Sequence, residues 1–120
     1  MSRYLAPIVL SLALFAPAHA QDAPTDADLR CLLVTFVGAS SGDANIRGAS
    51  ILAAMYYLGR IDGRAPQLDL SAALIPRAKA FRPEQAAPEA KRCGAMLKAR
   101  GDALKQLGAE FQAEAGKTAS

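Results

Sequence analysis

Apolar residues recur along this chain at the spacing of α-helices, and short polar clusters separate one apolar run from the next. The first run follows Thr25, whose hydroxyl suits the N-cap of a helix, and it stops at Gly38 and the polar segment 40–42. Cys31 lies beside its apolar stripe. The apolar positions of the run are Leu29, Leu32, Leu33, Phe36 and Val37. This pattern predicts a first helix between Thr25 and Gly38.

The second run, residues 44–58, is apolar on nearly every face and carries Arg47 as its one charge. A helix that is apolar all round is typical of a central element that its neighbours cover on several sides. We expect Asp43 to form its N-cap. Gly59 is expected to end it with positive φ, which glycine adopts without a steric penalty. The Ile-Asp-Gly sequence at 61–63 is then predicted to form a turn.

Two more helices are predicted in the second half of the chain. The third is capped by Asp69 or Ser71 and continues to about Phe81. It is expected to break or kink at Pro76, because proline lacks a backbone N–H and disfavours helical geometry in the residue before it. The fourth is expected over residues 88–114, with proline in its first position. Since no stretch shows sustained strand-type alternation, the predicted fold is all-α, a small bundle of about four helices.

Three glycines in the fourth helix, Gly94, Gly101 and Gly108, recur at intervals of seven residues. Each glycine inside a helix costs roughly 1 kcal/mol relative to alanine, so their repetition calls for an explanation. One interpretation is a face that packs closely against another helix, which we favour near Gly94. The other is a frayed, weakly stable terminal helix, and the two stay open for its last turns.

The first 20 residues have the pattern of a signal peptide. Arg3 supplies a positive start, and the apolar run Leu5–Phe15 is shorter than the roughly 20 residues needed to span a bilayer. Ala18-His19-Ala20 has the small-x-small pattern that precedes cleavage. We expect cleavage after Ala20, which leaves residues 21–120 as one helical domain with flexible ends in the periplasm or secreted. A retained N-terminal membrane anchor is the alternative.

The net charge of the chain limits the classes of partner that the sequence indicates. The full chain has a net charge of +3, from 14 basic and 11 acidic residues, and loss of Arg3 lowers it to +2. This value is too small to indicate nucleic-acid binding. Basic residues outnumber acidic ones between Arg77 and Lys105. That stretch is interpreted as solvated helix faces, and the alternative is a docking face for an acidic partner or for lipid headgroups.

Cys31 and Cys93 form an even pair in a small exported domain, which indicates one disulfide between the first and last helices. The cross-link closes a loop of 62 residues. Loop-closure entropy then gives a stabilisation of about 4 kcal/mol. The chain has no Cys-x-x-Cys motif, so a thiol oxidoreductase is not indicated.

Catalytic and cofactor motifs are missing from the sequence. His19, the sole histidine, belongs to the predicted signal peptide, which leaves no imidazole for a histidine-containing triad or a His-rich zinc site. A phosphate-binding loop and an EF-hand pattern are absent as well. We therefore expect no enzymatic activity, no cofactor and no metal. Asp62 and Asp69 are interpreted as a turn former and a helix cap, and a hydrolase that uses them is the remaining alternative.

The segment MYYLGRIDGR, residues 55–64, is the most motif-like part of the chain. Two adjacent tyrosines on a helix point about 100° apart, so we expect one in the core and the other near the surface with a hydrated hydroxyl. Arg60 and Arg64 are expected to pair with Asp62 or Asp69, or to bind carbonyls at the end of the second helix. Beside this structural interpretation we keep a candidate partner-binding surface, because tyrosine and arginine are enriched in binding hot spots. Its residues are Tyr56, Tyr57, Arg60, Asp62 and Arg64.

The order of these elements resembles that of the HdeA/HdeB-type periplasmic acid-stress chaperones and their uncharacterised relatives. The matching features are Cys31 in the first helix, the YYLGRIDGR segment, the Leu-Asp-Leu sequence at 68–70, and Cys93 in a later helix. The resemblance implies a dimer that is folded at neutral pH, opens in acid and holds unfolding clients. The long glycine-spaced helix after Cys93 departs from the family's pattern.

Two functional hypotheses follow. The first is a non-enzymatic soluble periplasmic protein, in its sharpest form a holding chaperone for unfolded clients, able to form a homodimer and without stable membrane insertion. Protonation of the 11 carboxylates of the processed chain would leave 13 basic residues uncompensated, and their repulsion would loosen the packing. The alternative is an inhibitor or immunity-type protein that binds one secreted enzyme or toxin through the surface between Tyr56 and Arg64.

Overall fold

The computed structural model describes residues 19–118, which form four α-helices and no strand. The prediction of an all-α fold with about four helices is confirmed. Of the predicted signal peptide, residues 1–18 lie outside the described part of the chain. No helix in the described residues is both long enough and apolar enough to cross a membrane. The helices are α1, His19–Ala39; α2, Ala44–Arg64; α3, Leu70–Ala80; and α4, Pro83–Thr118.

Aspartate side chains begin α2 and α3, as predicted. Asp43 Oδ1 accepts hydrogen bonds from the backbone N–H groups of Asn45 and Ile46, at 2.8 and 3.1 Å. Asp69 Oδ1 accepts one from the N–H of Ala72 at 2.9 Å. Each carboxylate satisfies backbone donors that have no partner within the first turn of a helix.

The predicted end of α2 at Gly59 is wrong, because the helix continues to Arg64. The turn predicted at 61–63 is wrong for the same reason, and none of the glycines described has positive φ. Glycine inside a helix costs roughly 1 kcal/mol, but Ile61 is completely buried and Arg60 and Arg64 contact α1. Tertiary contacts of this last turn therefore outweigh the local preference of its glycines.

The starts of two other helices differ from the prediction. α1 begins at His19, so Thr25 is not its N-cap. α4 begins at Pro83, where the N–H of Arg82 donates to the Gln85 side chain at 2.8 Å in the manner of a capping box. Of the break or kink predicted at Pro76, the break does not occur, because α3 is continuous through this residue. Its exposed position explains this tolerance, because water can bind the carbonyl that loses its helical donor.

The central helix is α1, which packs against each of the other three helices. The prediction that α2 is covered on several sides is wrong within one chain: Leu52 is 74 % exposed and Met55 64 %. The core is too small to cover more than the face of α2 that meets α1. Its buried members are Leu29, Cys31, Leu32, Tyr57, Ile61 and Cys93.

Among the glycines described, Gly38 and not Gly94 is the one that packs closely against another helix. A Cβ at Gly38 would overlap the hydroxyl of Ser50, so the glycine allows α1 and α2 to meet there. At Gly94, Gly101 and Gly108 no atom of another element lies within 4 Å of where a Cβ would stand. The close packing predicted near Gly94 is therefore absent within one chain.

Candidate functional site

The side chain of Asp28 is buried between α1 and α2, with 1 % of its surface exposed. Its Oδ2 atom accepts hydrogen bonds from Arg60 Nε, at 2.9 Å, and from Arg64 Nη1. The two arginines stand one turn apart on α2, so both reach the same carboxylate. Asp28 Oδ1 is buried without a hydrogen-bond partner. We call Asp28, Arg60 and Arg64 the Asp28 cluster.

Arg60 and Arg64 make further contacts at the edge of this cluster. Arg60 Nη1 donates to the hydroxyl of Tyr56 at 3.2 Å, and its guanidinium lies 5.6 Å from the centre of the Tyr56 ring. The hydrogen bond with Asp28 raises the pKa of Arg60 above its already high ordinary value, so this side chain stays charged. Arg64 Nη1 also donates to the carbonyl of Pro24 at 3.4 Å.

The contact between α1 and α3 contains a second carboxylate–arginine pair. Arg77 of α3 donates from Nε and Nη2 to Asp26 Oδ1, at 2.9 and 2.6 Å. The other oxygen of Asp26 accepts from Arg30 on α1 at 2.6 Å. Because Arg77 is fixed in this way, part of the basic stretch noted in the sequence faces the protein itself.

The contact between α1 and α4 contains a third pair. Glu89 of α4 lies 3.3 Å from Arg30 and accepts a 2.6 Å hydrogen bond from Arg92 on its own helix. Arg92 Nη2 donates at 2.9 Å to the carbonyl of Ala27 on α1. Asp26, Asp28 and Arg30, spaced two residues apart on α1, thus connect it to α3, α2 and α4 respectively.

The predicted disulfide joins α1 to α4, with the Cα atoms of Cys31 and Cys93 5.6 Å apart. Tyr57 of α2 donates from its hydroxyl to the carbonyl of Cys93 at 2.7 Å, which links α2 to the same point. Glu89 lies beside the two sulfur atoms. Since these sulfurs are bonded to each other, neither is the thiolate that a metal would need.

Burial raises the pKa of the Tyr57 hydroxyl to about 12, with a smaller contribution from neighbouring Tyr56. Above about pH 10 the unfolded chain loses this proton while the folded chain keeps it, so stability falls as the pH rises from about 10 to about 12. The expected loss is roughly 2 to 3 kcal/mol. Denaturant unfolding of Tyr57→Phe should lack this part of the alkaline dependence, and Tyr56→Phe should retain it. Equal alkaline losses in wild type and Tyr57→Phe would contradict this expectation.

The residues predicted to form a partner-binding surface differ in how deeply they are buried. Tyr57 is fully buried and Tyr56 is partly exposed, which confirms that the two tyrosines divide between core and surface. Asp62 is exposed. The predicted pairing of Arg60 and Arg64 with Asp62 or Asp69 is wrong, because both bind Asp28. A partner-binding role for these residues stays a prediction.

Asp28 itself was not recognised from the sequence as a site residue. It stands near the start of the first apolar run, where an acid is expected to interact with the helix dipole. A signal was nevertheless present on α2: Arg60 and Arg64 flank Ile61 and recur with the period of the face that carries Tyr57. Two arginines beside a core face are compatible with a shared acidic partner, but the pattern does not show where in the chain that partner lies.

Two apolar grooves flank the α1–α2 pair. One, of about 620 Å³, lies between this pair and α4, and we call it the α4-side groove. The other, of about 430 Å³, lies between the pair and α3, and we call it the α3-side groove. The α4-side groove is lined by residues that include Val34, Val37, Ile46, Ala53, Ala90 and Leu97. The α3-side groove is lined by residues that include Phe36, Met55, Leu58, Leu70, Leu74 and Ile75.

The geometry thus combines three carboxylate–arginine contacts around α1, one disulfide and two open apolar grooves. In comparisons with known proteins, no protein-family model, curated protein or solved structure matched this chain.

Proposed function

We propose that this chain is a non-enzymatic periplasmic or secreted protein that opens in acid and then holds unfolding client proteins on its apolar helix faces. The observation that carries the proposal is the placement of a carboxylate–arginine pair at each contact of α1 with another helix. Acid removes the negative member of all three pairs and leaves the positive one. The helix contacts are thereby weakened together.

The Asp28 cluster has the largest part in this opening. Exposed ion pairs contribute at most about 1 kcal/mol, whereas the loss of one partner from a buried pair costs several. Once Asp28 is protonated, Arg60 and Arg64 keep their charges side by side on α2 without a counter-ion. Their mutual repulsion and their attraction to water both favour separation of α2 from α1.

The surfaces that opening exposes are suited to unfolded polypeptide. The faces of α1 and α2 that meet in the core carry Leu29, Leu32 and Ile61. They would become continuous with the two grooves, which are already apolar and open. Unfolding clients expose apolar side chains of many shapes, and an extended apolar surface binds them without a specific fit.

The disulfide limits how far the opened chain expands. Cys31 and Cys93 keep α1 joined to α4 after the ion pairs are lost, so the α4-side groove keeps two of its walls. A disulfide is typical of exported proteins, and the N-terminal signal-peptide pattern supports the same compartment. Both features favour an environment whose pH follows that outside the cell.

The proposal is tested by client aggregation in the presence of the purified, oxidised protein. At about pH 2.5, where carboxyl groups are largely protonated, it should suppress aggregation of an acid-sensitive client at near-stoichiometric ratios. Near neutral pH the same protein should have little effect on a client unfolded by heat or reduction. Absence of suppression in acid would refute the proposal, and equal suppression at both pH values would refute its acid trigger.

A further inference from the structure

The second half of α4 extends beyond the rest of the protein. Leu97 is the last residue of α4 that lines a groove with α1 and α2. In residues 98–118 every described side-chain hydrogen bond and ion pair is made within α4 itself. Two large apolar side chains in this part are mostly exposed, Leu104 at 69 % and Phe111 at 67 %.

Large and small residues alternate along one face of this helix. A leucine or phenylalanine recurs every seven residues along this face. A glycine stands three residues before each of these large residues, and therefore also recurs every seven residues. We call this face the α4 seam, and its members are Gly94, Leu97, Gly101, Leu104, Gly108 and Phe111. Space above Gly101 and Gly108 is open, since nothing lies within 4 Å of a Cβ placed there. A seven-residue repeat of this kind is the pattern by which two helices pair.

We propose that the α4 seam binds the α4 seam of a second copy of this chain, with the two helices antiparallel. In the register centred near residue 106, Leu104 of one copy lies over Gly108 of the other, and Phe111 lies over Gly101. Each large side chain then fills the open space above a glycine. In a parallel pair, each glycine would lie opposite the same glycine of the second copy. The spaces above the glycines would then stay empty, and the two helices would pack less well.

Charge complementarity selects the same orientation. Arg100 is exposed and makes no ion pair in the described part of the chain. The antiparallel register places it beside Glu114 of the second copy, and symmetry repeats the contact at the other end of the seam. Parallel pairing would instead place Arg100 beside Lys105 of the second copy, which repels it. On the other side of the helix pair, the Lys105 side chains of the two copies approach each other. Each Lys105 lies 4.0 Å from Asp102 of its own helix, and this carboxylate offsets their repulsion.

This register determines how far the two helices overlap. Because α4 ends at Thr118, a two-fold axis near residue 106 places residues 94–118 of the two copies side by side. The overlap contains the whole segment after Leu97 and the four residues before it. Their bodies then lie at opposite ends of the pair. Leu107, which is also part-exposed, meets its own copy across the axis. This inference rests on α4 alone and does not depend on the proposed acid function.

Sedimentation equilibrium of the purified, oxidised protein at roughly 100 μM, near neutral pH, tests the pairing. Wild type should sediment as a dimer. Leu104→Glu should be monomeric with an unchanged helical circular-dichroism spectrum, because Leu104 is exposed in the single chain. Gln106→Glu adds the same charge on the outer face of α4 and should stay dimeric. A monomeric wild type, or equal behaviour of the two variants, would overturn the proposal.

A charge reversal tests the orientation. Arg100→Glu should weaken the dimer by about tenfold, because it places two acidic pairs in contact. Addition of Glu114→Arg to this variant should restore most of the affinity. A stronger dimer in Arg100→Glu alone would show parallel pairing and overturn the proposed register.

Discussion

Asp28→Asn should lower the free energy of unfolding near neutral pH by about 2 to 3 kcal/mol, as measured by denaturant unfolding. Asparagine keeps the shape of the side chain but not its charge, so Arg60 and Arg64 lose their shared counter-ion. Removal of one partner from a fully buried pair costs about 3 to 5 kcal/mol, and the partial exposure of the two arginines reduces that figure.

Asp62→Asn is the matched control for this substitution. Asp62 lies on the same turn of α2 as the two arginines but is exposed. The same change of charge there should alter stability by less than about 0.5 kcal/mol. If the two variants were equally stable, the Asp28 cluster would have no special part in holding α2 to α1.

Replacement of both cysteines, Cys31→Ser with Cys93→Ser, should lower the free energy of unfolding by about 4 kcal/mol. The cross-link closes a loop of 62 residues and thereby restricts the unfolded chain. Its loss also loosens α4, whose other polar links to the body are the contacts of Arg92 and Glu89 with α1 and of Tyr57 with the Cys93 carbonyl.

Reducing agent provides the control for the cysteine variant. It should destabilise the wild type by a similar amount and leave the double variant unchanged. A loss below about 1 kcal/mol would show that the disulfide is not a main source of stability and that the other contacts of α4 are sufficient.

Features that depend on neighbouring residues could be predicted from the sequence. Asp43 and Asp69 begin helices because a short acidic side chain satisfies the N–H groups of the next turn, and this needs no tertiary contact. The disulfide could be predicted because the chain contains two cysteines and therefore one possible pairing. Four apolar runs separated by polar segments likewise specified four helices.

Apart from the disulfide, features that depend on distant residues could not be predicted. α2 passes through Gly59 and Gly63 because its last turn contacts Asp28, which stands 32 and 36 positions before the arginines that bind it. The role of Asp28 was missed for the same reason. The apolar character of α2 predicts burial within the chain, whereas Leu52 and Met55 are exposed in a single copy. A hydrophobic pattern specifies that a face needs covering and does not identify what covers it.

These observations describe a chain whose helices are held around α1 by ion pairs and a disulfide, with apolar faces beside them. Carboxylate–arginine pairs hold the helices around α1, and the disulfide maintains one connection when they fail. In the proposed function, the loss of these pairs converts a folded protein into a cross-linked, apolar holding surface. The stability that the Asp28 cluster contributes should therefore influence how readily the chain opens in acid.

The most direct measurement is the pH at which suppression of client aggregation begins, compared among wild type, Asp28→Asn and Asp62→Asn in the oxidised state. Because Asp28→Asn has already lost the buried counter-ion, we expect its holding to begin at a higher pH than that of the wild type. Asp62→Asn should match the wild type. The same onset in all three proteins, or no suppression by any of them in acid, would contradict an acid-opened holding function centred on Asp28.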